Sequence, residues 1–182
     1  MSTNRIFLVG YMGSGKSSVG RLLAKKTGWQ FVDLDLFIEN RYRKSVSQIF
    51  SEYGETVFRE MEHNILQEVA LFEQAVISTG GGAPCFHNNM SLMKQSGIVV
   101  YLKVPIPQLI KRLEISKQSR PLIKNKTIEE LAVFIAESLK TREVFYNEAD
   151  IILDTEKIAP PANPDGVASR LARDLGVLKK TD

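Results

Sequence analysis

Gly10-Tyr11-Met12-Gly13-Ser14-Gly15-Lys16-Ser17 fits the pattern G-x-x-x-x-G-K-(S/T), and its setting decides the fold. The short apolar run Arg5 to Val9 precedes it. After it, Val19, Leu22, Leu23 and Lys26 recur at helical spacing as far as Gly28. Strand, glycine-bearing turn and helix in that order make a phosphate cradle. Glycines let successive backbone N–H groups converge on one concavity that a Cβ would obstruct. The helix opening near Lys16 offers its unsatisfied N–H groups and positive dipole end to the same anion. Met12, Gly13, Ser14 and Gly15 then frame the phosphates of ATP, Lys16 reaches the β- and γ-phosphates, and the Ser17 hydroxyl is a ligand for Mg²⁺. A tight turn alone would need only Gly10 and Gly13; the complete pattern favours nucleotide binding.

Outward from the cradle, short strand-like runs alternate with longer helical ones. Phe31 to Leu34 reads as a second strand. A helical pattern from Leu36 to Tyr53 breaks near Lys44-Ser45, where Ser45 and Gln48 form a capping box for its second piece. Thr56 to Phe72 predicts a long helix with Val57, Met61, Ile65, Leu66, Val69 and Phe72 on one side. Ala75 to Thr79 and Ile98 to Val104 read as buried strands. A helix opens at Pro105 or Pro107, and another follows the capping box Thr127/Glu130 and runs through Tyr146. Ile151 to Leu153 makes a fifth strand, and a closing helix ends near Gly176. Five strands alternating with helices imply a parallel sheet covered on both faces, a three-layer α/β/α domain.

The chain has 182 residues, which suits a single domain over 1–182. With 24 Lys and Arg against 21 Asp and Glu, the net charge of +3 is too small to point to a nucleic-acid face and suits small anionic ligands. The single cysteine, Cys85, excludes an internal disulfide. There is no signal-peptide pattern and no apolar run near the ~20 residues that cross a bilayer. The expectation is a soluble cytoplasmic monomer without nucleic-acid or membrane partners.

Among cradle proteins, a guanine-nucleotide switch would carry Asn-Lys-x-Asp, but Asn125-Lys126-Thr127 is followed by Ile128. A motor ATPase would show a strand ending in Asp or Asp-Glu; here Ser78-Thr79 passes into Gly80-Gly81-Gly82. A small-molecule kinase remains. Asp33 and Asp35 flank Leu34 at the end of the second strand, and in an extended chain both carboxylates would face the cleft. One of the two carboxylates would hold Mg²⁺ through water and the other would accept a proton or hydrogen bond from a substrate hydroxyl. The same pattern also suits a turn or a helix N-cap.

The cradle, D-L-D at 33–35, F-R-E-x-E at 58–62, S-T-G-G-G at 78–82, R-P-L at 120–122 and R-E-x-x-Y at 142–146 together resemble the shikimate kinase family, from residue 5 to about 175. The resemblance implies a five-stranded parallel sheet of order 2-3-1-4-5, of the P-loop kinase type shared with nucleoside monophosphate kinases. It implies ATP and shikimate as substrates, with Mg²⁺, and transfer to the 3-hydroxyl in aromatic amino-acid biosynthesis. Shikimate carries one carboxylate and three hydroxyls. Arg59 and Arg142 resemble the family's carboxylate clamp, suited to bidentate pairing. Asp35 resembles the residue that orients the reacting hydroxyl, and Gly80, Gly81 and Gly82 the backbone wall against the substrate. Glu62, one turn beyond Arg59, would hold that arginine. Read without the resemblance, Arg59 is a surface arginine paired with Glu62 or Glu55, and Arg142 a helix-end charge.

The resemblance also implies substrate-binding helices at about 34–72 and a lid at about 116–126 whose Arg120 closes over the phosphates. Arg112 resembles the arginine that stacks on adenine. Asn163-Pro164 resembles the adenine-side loop and is equally a helix start, with Asn as N-cap and Pro at the first helical position. Ala162 stands where some members carry arginine. Cys85, Trp29 and the methionines read as packing residues, and His63 and His87 lack metal-ligand spacing.

Overall fold

The computed structural model describes residues 4–116, 123–157 and 163–177. Five strands, β1 (Arg5–Val9), β2 (Gln30–Asp33), β3 (Ala75–Ser78), β4 (Ile98–Lys103) and β5 (Ile151–Asp154), form one sheet in the order β2-β3-β1-β4-β5. All four pairings are parallel, with Leu8 opposite Ser78 on one side of β1 and opposite Val100 on the other. The fold class and strand order are those expected.

Strand residues alternate between two cores, because successive side chains leave opposite faces of a sheet. Ile6, Leu8, Val76, Val100 and Leu102 pack against Val19, Leu23 and Ala24 of α1 (Lys16–Thr27) and Val167, Ala168 and Leu171 of α7 (Pro164–Asp174). Phe7, Val9, Ile77, Val99 and Tyr101 turn the other way. They meet α2 (Leu34–Tyr42), α3 (Val46–Val69), α4 (Asn89–Ser96), α5 (Ile106–Ile115) and α6 (Ile128–Tyr146) through Ile38, Ile65, Met93, Leu109 and Ile135. Both faces are therefore apolar, which is why the strands read as continuous hydrophobic runs.

The two helical stretches part where expected: α3 is broken at Gly54, whose φ of 78° and ψ of 174° are not helical, a conformation a residue with a Cβ rarely adopts. Its Ser45/Gln48 capping box is fully formed, as is that of Thr127 and Glu130 on α6. The apolar face of α3 is completed by Phe58, 2% exposed, while Met61 and, just beyond the helix, Phe72 pack partly buried against the same core. The segment after the three glycines, to which the pattern assigns no element, forms a 3-10 turn at Ala83–Cys85 followed by α4, which buries Met90 and Met93.

Since β1 has β3 on one side and β4 on the other, the chain connections diverge at its C-terminal end. Crevices open there in parallel sheets. The cradle leaves β1 and the glycine segment leaves β3 at that place, and α6 crosses beside them.

Candidate active site

A cavity of about 490 Å³ occupies the crevice, lined along one side by Met12 through Val19. Lys16 is 8% exposed. Its Nζ donates to Gly10 O at 2.8 Å and Tyr11 O at 3.0 Å, so the ammonium lies folded over the cradle's own backbone. Ser17 Oγ donates to Asp33 Oδ2 at 2.7 Å and is 3.3 Å from Ser78 Oγ. A hydroxyl and a carboxylate thus already meet at one point, a donor set that suits a hard, oxygen-seeking cation. Among the described residues no group of three His, Cys, Asp or Glu side chains could form a metal site by itself.

Asp33 and Asp35 both line the cavity, by a different route from the extended-chain reading. Asp33 ends β2 and caps α2, its carboxylate accepting from Leu36 N at 3.4 Å; Asp35 lies in the first turn of α2. The helix turns Asp35 back over the strand end. Burial raises the Asp35 pKa, and Asp33 and Glu39 push it the same way, while Lys16 and Arg59 oppose. Its carboxylate is a better proton acceptor than an ordinary aspartate.

A second group of side chains adjoins the cavity at Asp35 and Gly81. Arg59, 8% exposed, is no surface arginine. Its Nη1 donates to Glu62 Oε2 at 2.8 Å and its Nη2 to Glu55 Oε1 at 2.9 Å. Phe86 lies against the guanidinium at 4.2 Å, with Phe58 at 5.1 Å and Phe50 at 5.8 Å. Such packing surrounds the cation with rings, while Glu55 takes its Nε/Nη2 edge and Glu62 one Nη1 hydrogen, so a planar anion meets the remaining Nη hydrogens. Arg142 sits over the Tyr11 ring at 5.7 Å, next to Gly81.

The glycines explain how closely these pieces pack. A Cβ on Gly80 would stand 2.9 Å from both Asp35 Oδ1 and Glu62 Oε1, so the backbone threads between two carboxylates. A Cβ on Gly82 would stand 2.5 Å from Arg59 Nη2. Glu62 is fully buried, and its Oε1 has no partner among the described residues. Burial drives its pKa up to about 7; Arg59 opposes, Asp35 adds and Arg142 opposes.

Arg112 Nη1 donates to Gly13 O at 3.3 Å and Ser14 O at 3.2 Å, which places its guanidinium on the outer carbonyls of the cradle. Asn163 caps α7 by accepting from Gly166 N at 2.7 Å, and Pro164 reaches the cavity wall. Arg120 lies outside the described residues.

A family model described as shikimate kinase matches residues 12–175. A shikimate kinase of Parabacteroides distasonis is 54% identical over 171 residues, covering 94% of this chain and 99% of that protein. The chain belongs to the shikimate kinase family. The crystal structure of shikimate kinase from Bacteroides thetaiotaomicron superposes with a TM-score of 0.90 at 44% identity, covering 96% of this chain and 99% of that one. The Acinetobacter baumannii shikimate kinase, solved in complex with shikimate, superposes with a TM-score of 0.84 at 34% identity, covering 96% and 94%. The kinase fold, its use of ATP and its phosphotransferase class follow from that membership.

Membership also sharpens what sequence reading passed over. Ser78 and Thr79 line the cavity, and their signal was two polar residues at the end of a buried strand. The aromatic setting of Arg59 had only a partial signal in Phe58 beside it. His63 donates from Nδ1 to Asn89 Oδ1 at 2.6 Å, and Asn89 Nδ2 donates to Ala83 O at 2.8 Å. Burial pushes the Cys85 thiol up to about 11, in keeping with a packing residue.

Proposed function

We propose that this chain transfers the γ-phosphoryl group of ATP to the 3-hydroxyl of shikimate, giving 3-phosphoshikimate and ADP. The observation that carries this reading is the pairing of two features in one crevice. A phosphate cradle lies beside a buried, aromatic-backed Arg59 that Arg142 faces across the glycine segment.

The cradle N–H groups and Lys16 hold the phosphates, and Lys16 leaves the carbonyls of Gly10 and Tyr11 to do so. Arg59 and Arg142 take the shikimate carboxylate, with Glu62 setting the height of Arg59 on α3. That end of the ring is then fixed, and its hydroxyls face Asp35 and the glycine wall. Asp35, with its raised pKa, orients the 3-hydroxyl and accepts its proton as oxygen bonds to phosphorus and the bond to ADP breaks. Ser17 and Asp33 would hold Mg²⁺, which when bound offsets phosphate charge. Arg112 fixes the outer edge of the cradle where adenine would lie beside Pro164. Arg120 would neutralise charge from the lid at about 116–126. We read residues 1–182 as one kinase domain acting as a soluble cytoplasmic monomer, with α2 and α3 as its acceptor-binding helices.

Steady-state ADP release with shikimate as acceptor tests the reading. Saturable turnover supports it; turnover with gluconate or a nucleoside monophosphate, and none with shikimate, overturns it.

A further inference from the structure

The wall made by Gly80, Gly81 and Gly82 has no side chains to fix it, yet its peptide planes are held. Gly80 O accepts from Ala83 N at 3.2 Å, and Gly82 O accepts from Cys85 N at 2.9 Å. Gly81 O accepts from the hydroxyl of Tyr146 at 2.5 Å. The exit of the wall is anchored too, because Asn89 Nδ2 donates to Ala83 O at 2.8 Å. Every carbonyl from 80 to 83 is thus engaged from within the protein. The N–H groups of Gly81 and Gly82 have no acceptor among the described residues.

In a trans peptide the C=O of one residue and the N–H of the next point in opposite directions. A carbonyl tied back therefore aims the following N–H away from the tie. The tie on Gly80 O directs the Gly81 N–H, and the Tyr146 tie on Gly81 O directs the Gly82 N–H. Gly81 lines the cavity, so this is an array of donors held ready for an oxygen-rich ligand.

Both side-chain anchors are built for the task. Tyr146 is 0% exposed, with its ring 5.1 Å from Tyr101, and it lies one helical turn beyond Arg142 on α6. Asn89 is also 0% exposed, and its Oδ1 accepts from His63 Nδ1, one residue beyond Glu62 on α3. The wall is braced from α6, which carries Arg142, and from α4, whose Asn89 is held in turn by His63 of α3.

We infer that Tyr146 and Asn89 are positioning residues for acceptor binding: Tyr146 presets the Gly82 amide through Gly81 O, and Asn89 holds Ala83, whose N–H ties back the Gly80 carbonyl behind the Gly81 amide. The inference rests on the shikimate reading for the identity of the acceptor. Neither residue touches the acceptor.

Two variants test it. Tyr146→Phe deletes only the hydroxyl. Asn89→Asp keeps the acceptor for His63 but sets a carboxylate oxygen against Ala83 O. Steady-state kinetics would read shikimate and ATP separately, and ¹⁵N–¹H spectra of the ligand-free protein would read the glycine amides. The expected result is a shikimate KM raised about tenfold in each variant, with the ATP KM within about twofold of wild type. The Gly81 and Gly82 amide signals should shift or broaden. An unchanged shikimate KM, an equal rise in both KM values, unmoved glycine signals, or loss of folding in both variants would overturn the inference. Absence of wild-type turnover with shikimate would sink the substrate reading, and the glycine signals would then decide the bracing by themselves.

Discussion

Lys16 sits on the carbonyls of Gly10 and Tyr11, and on the proposed reading it leaves them for phosphate. Lys16→Met keeps the length of the stem but not the charge, and kcat should fall by ~100-fold or more, as for loss of a charge-stabilising donor. Arg59 acts at the other end of the crevice. Arg59→Ala should raise the shikimate KM by roughly 10- to 100-fold, as for loss of a charged hydrogen bond, and leave the ATP KM nearly unchanged. Steady-state titration of each substrate checks both, and a shikimate KM unmoved by Arg59→Ala would remove the clamp assignment. Glu62 gives a pH prediction. Its folded pKa of about 7 lies above the ordinary 4.5, so the folded state binds the extra proton between those values. Stability therefore falls as pH rises through that window. In urea unfolding, Glu62→Gln should gain on wild type between pH 5 and pH 7.5. A difference that stays constant with pH would show that Glu62 carries no such burden.

Helices and loops place these residues, and here local chemistry decides what the sequence can reveal. The capping boxes at Ser45 and Thr127 are legible because cap and partner lie three residues apart and need no tertiary context. Ser45→Ala should cost ~1 kcal/mol in chemical denaturation, with little change in catalysis. Asp33 and Asp35 are legible as a pair but not as a geometry: i, i+2 alternation holds only while the strand lasts, and Asp33 ends it by capping α2. The break at Gly54 is legible for a similar local reason: it falls between the pattern ending at Tyr53 and the one starting at Thr56, and its backbone is not helical. Gly82→Ala belongs to this scale as well. Its methyl group would occupy the place of the Arg59 guanidinium, so the shikimate KM should rise while the fold remains. A crystal structure of that variant with Arg59 unmoved would contradict the packing argument.

Across the whole molecule, the parallel order β2-β3-β1-β4-β5 brings three sequence-distant segments to one edge of the sheet. The cradle's task was readable from eight consecutive residues, because its ligand is held largely by backbone in a local turn. The acceptor side was not readable in that way. Arg59, Arg142 and Gly80 to Gly82 became a site only as a constellation resembling a known family, since each has an ordinary structural use by itself. Phe86, Asn89 and Tyr146 show the remaining limit: they meet Arg59, His63 and Gly81 across tens of residues, and no periodicity marks such contacts. On the proposed reading, one crevice takes phosphate at one end and a carboxylate at the other. Coupled ADP release measured in parallel with shikimate, gluconate and nucleoside monophosphates tests that claim most directly. Saturable turnover with shikimate, lost in Lys16→Met and recovered only at high shikimate in Arg59→Ala, is the predicted result; turnover with another acceptor and none with shikimate would contradict it.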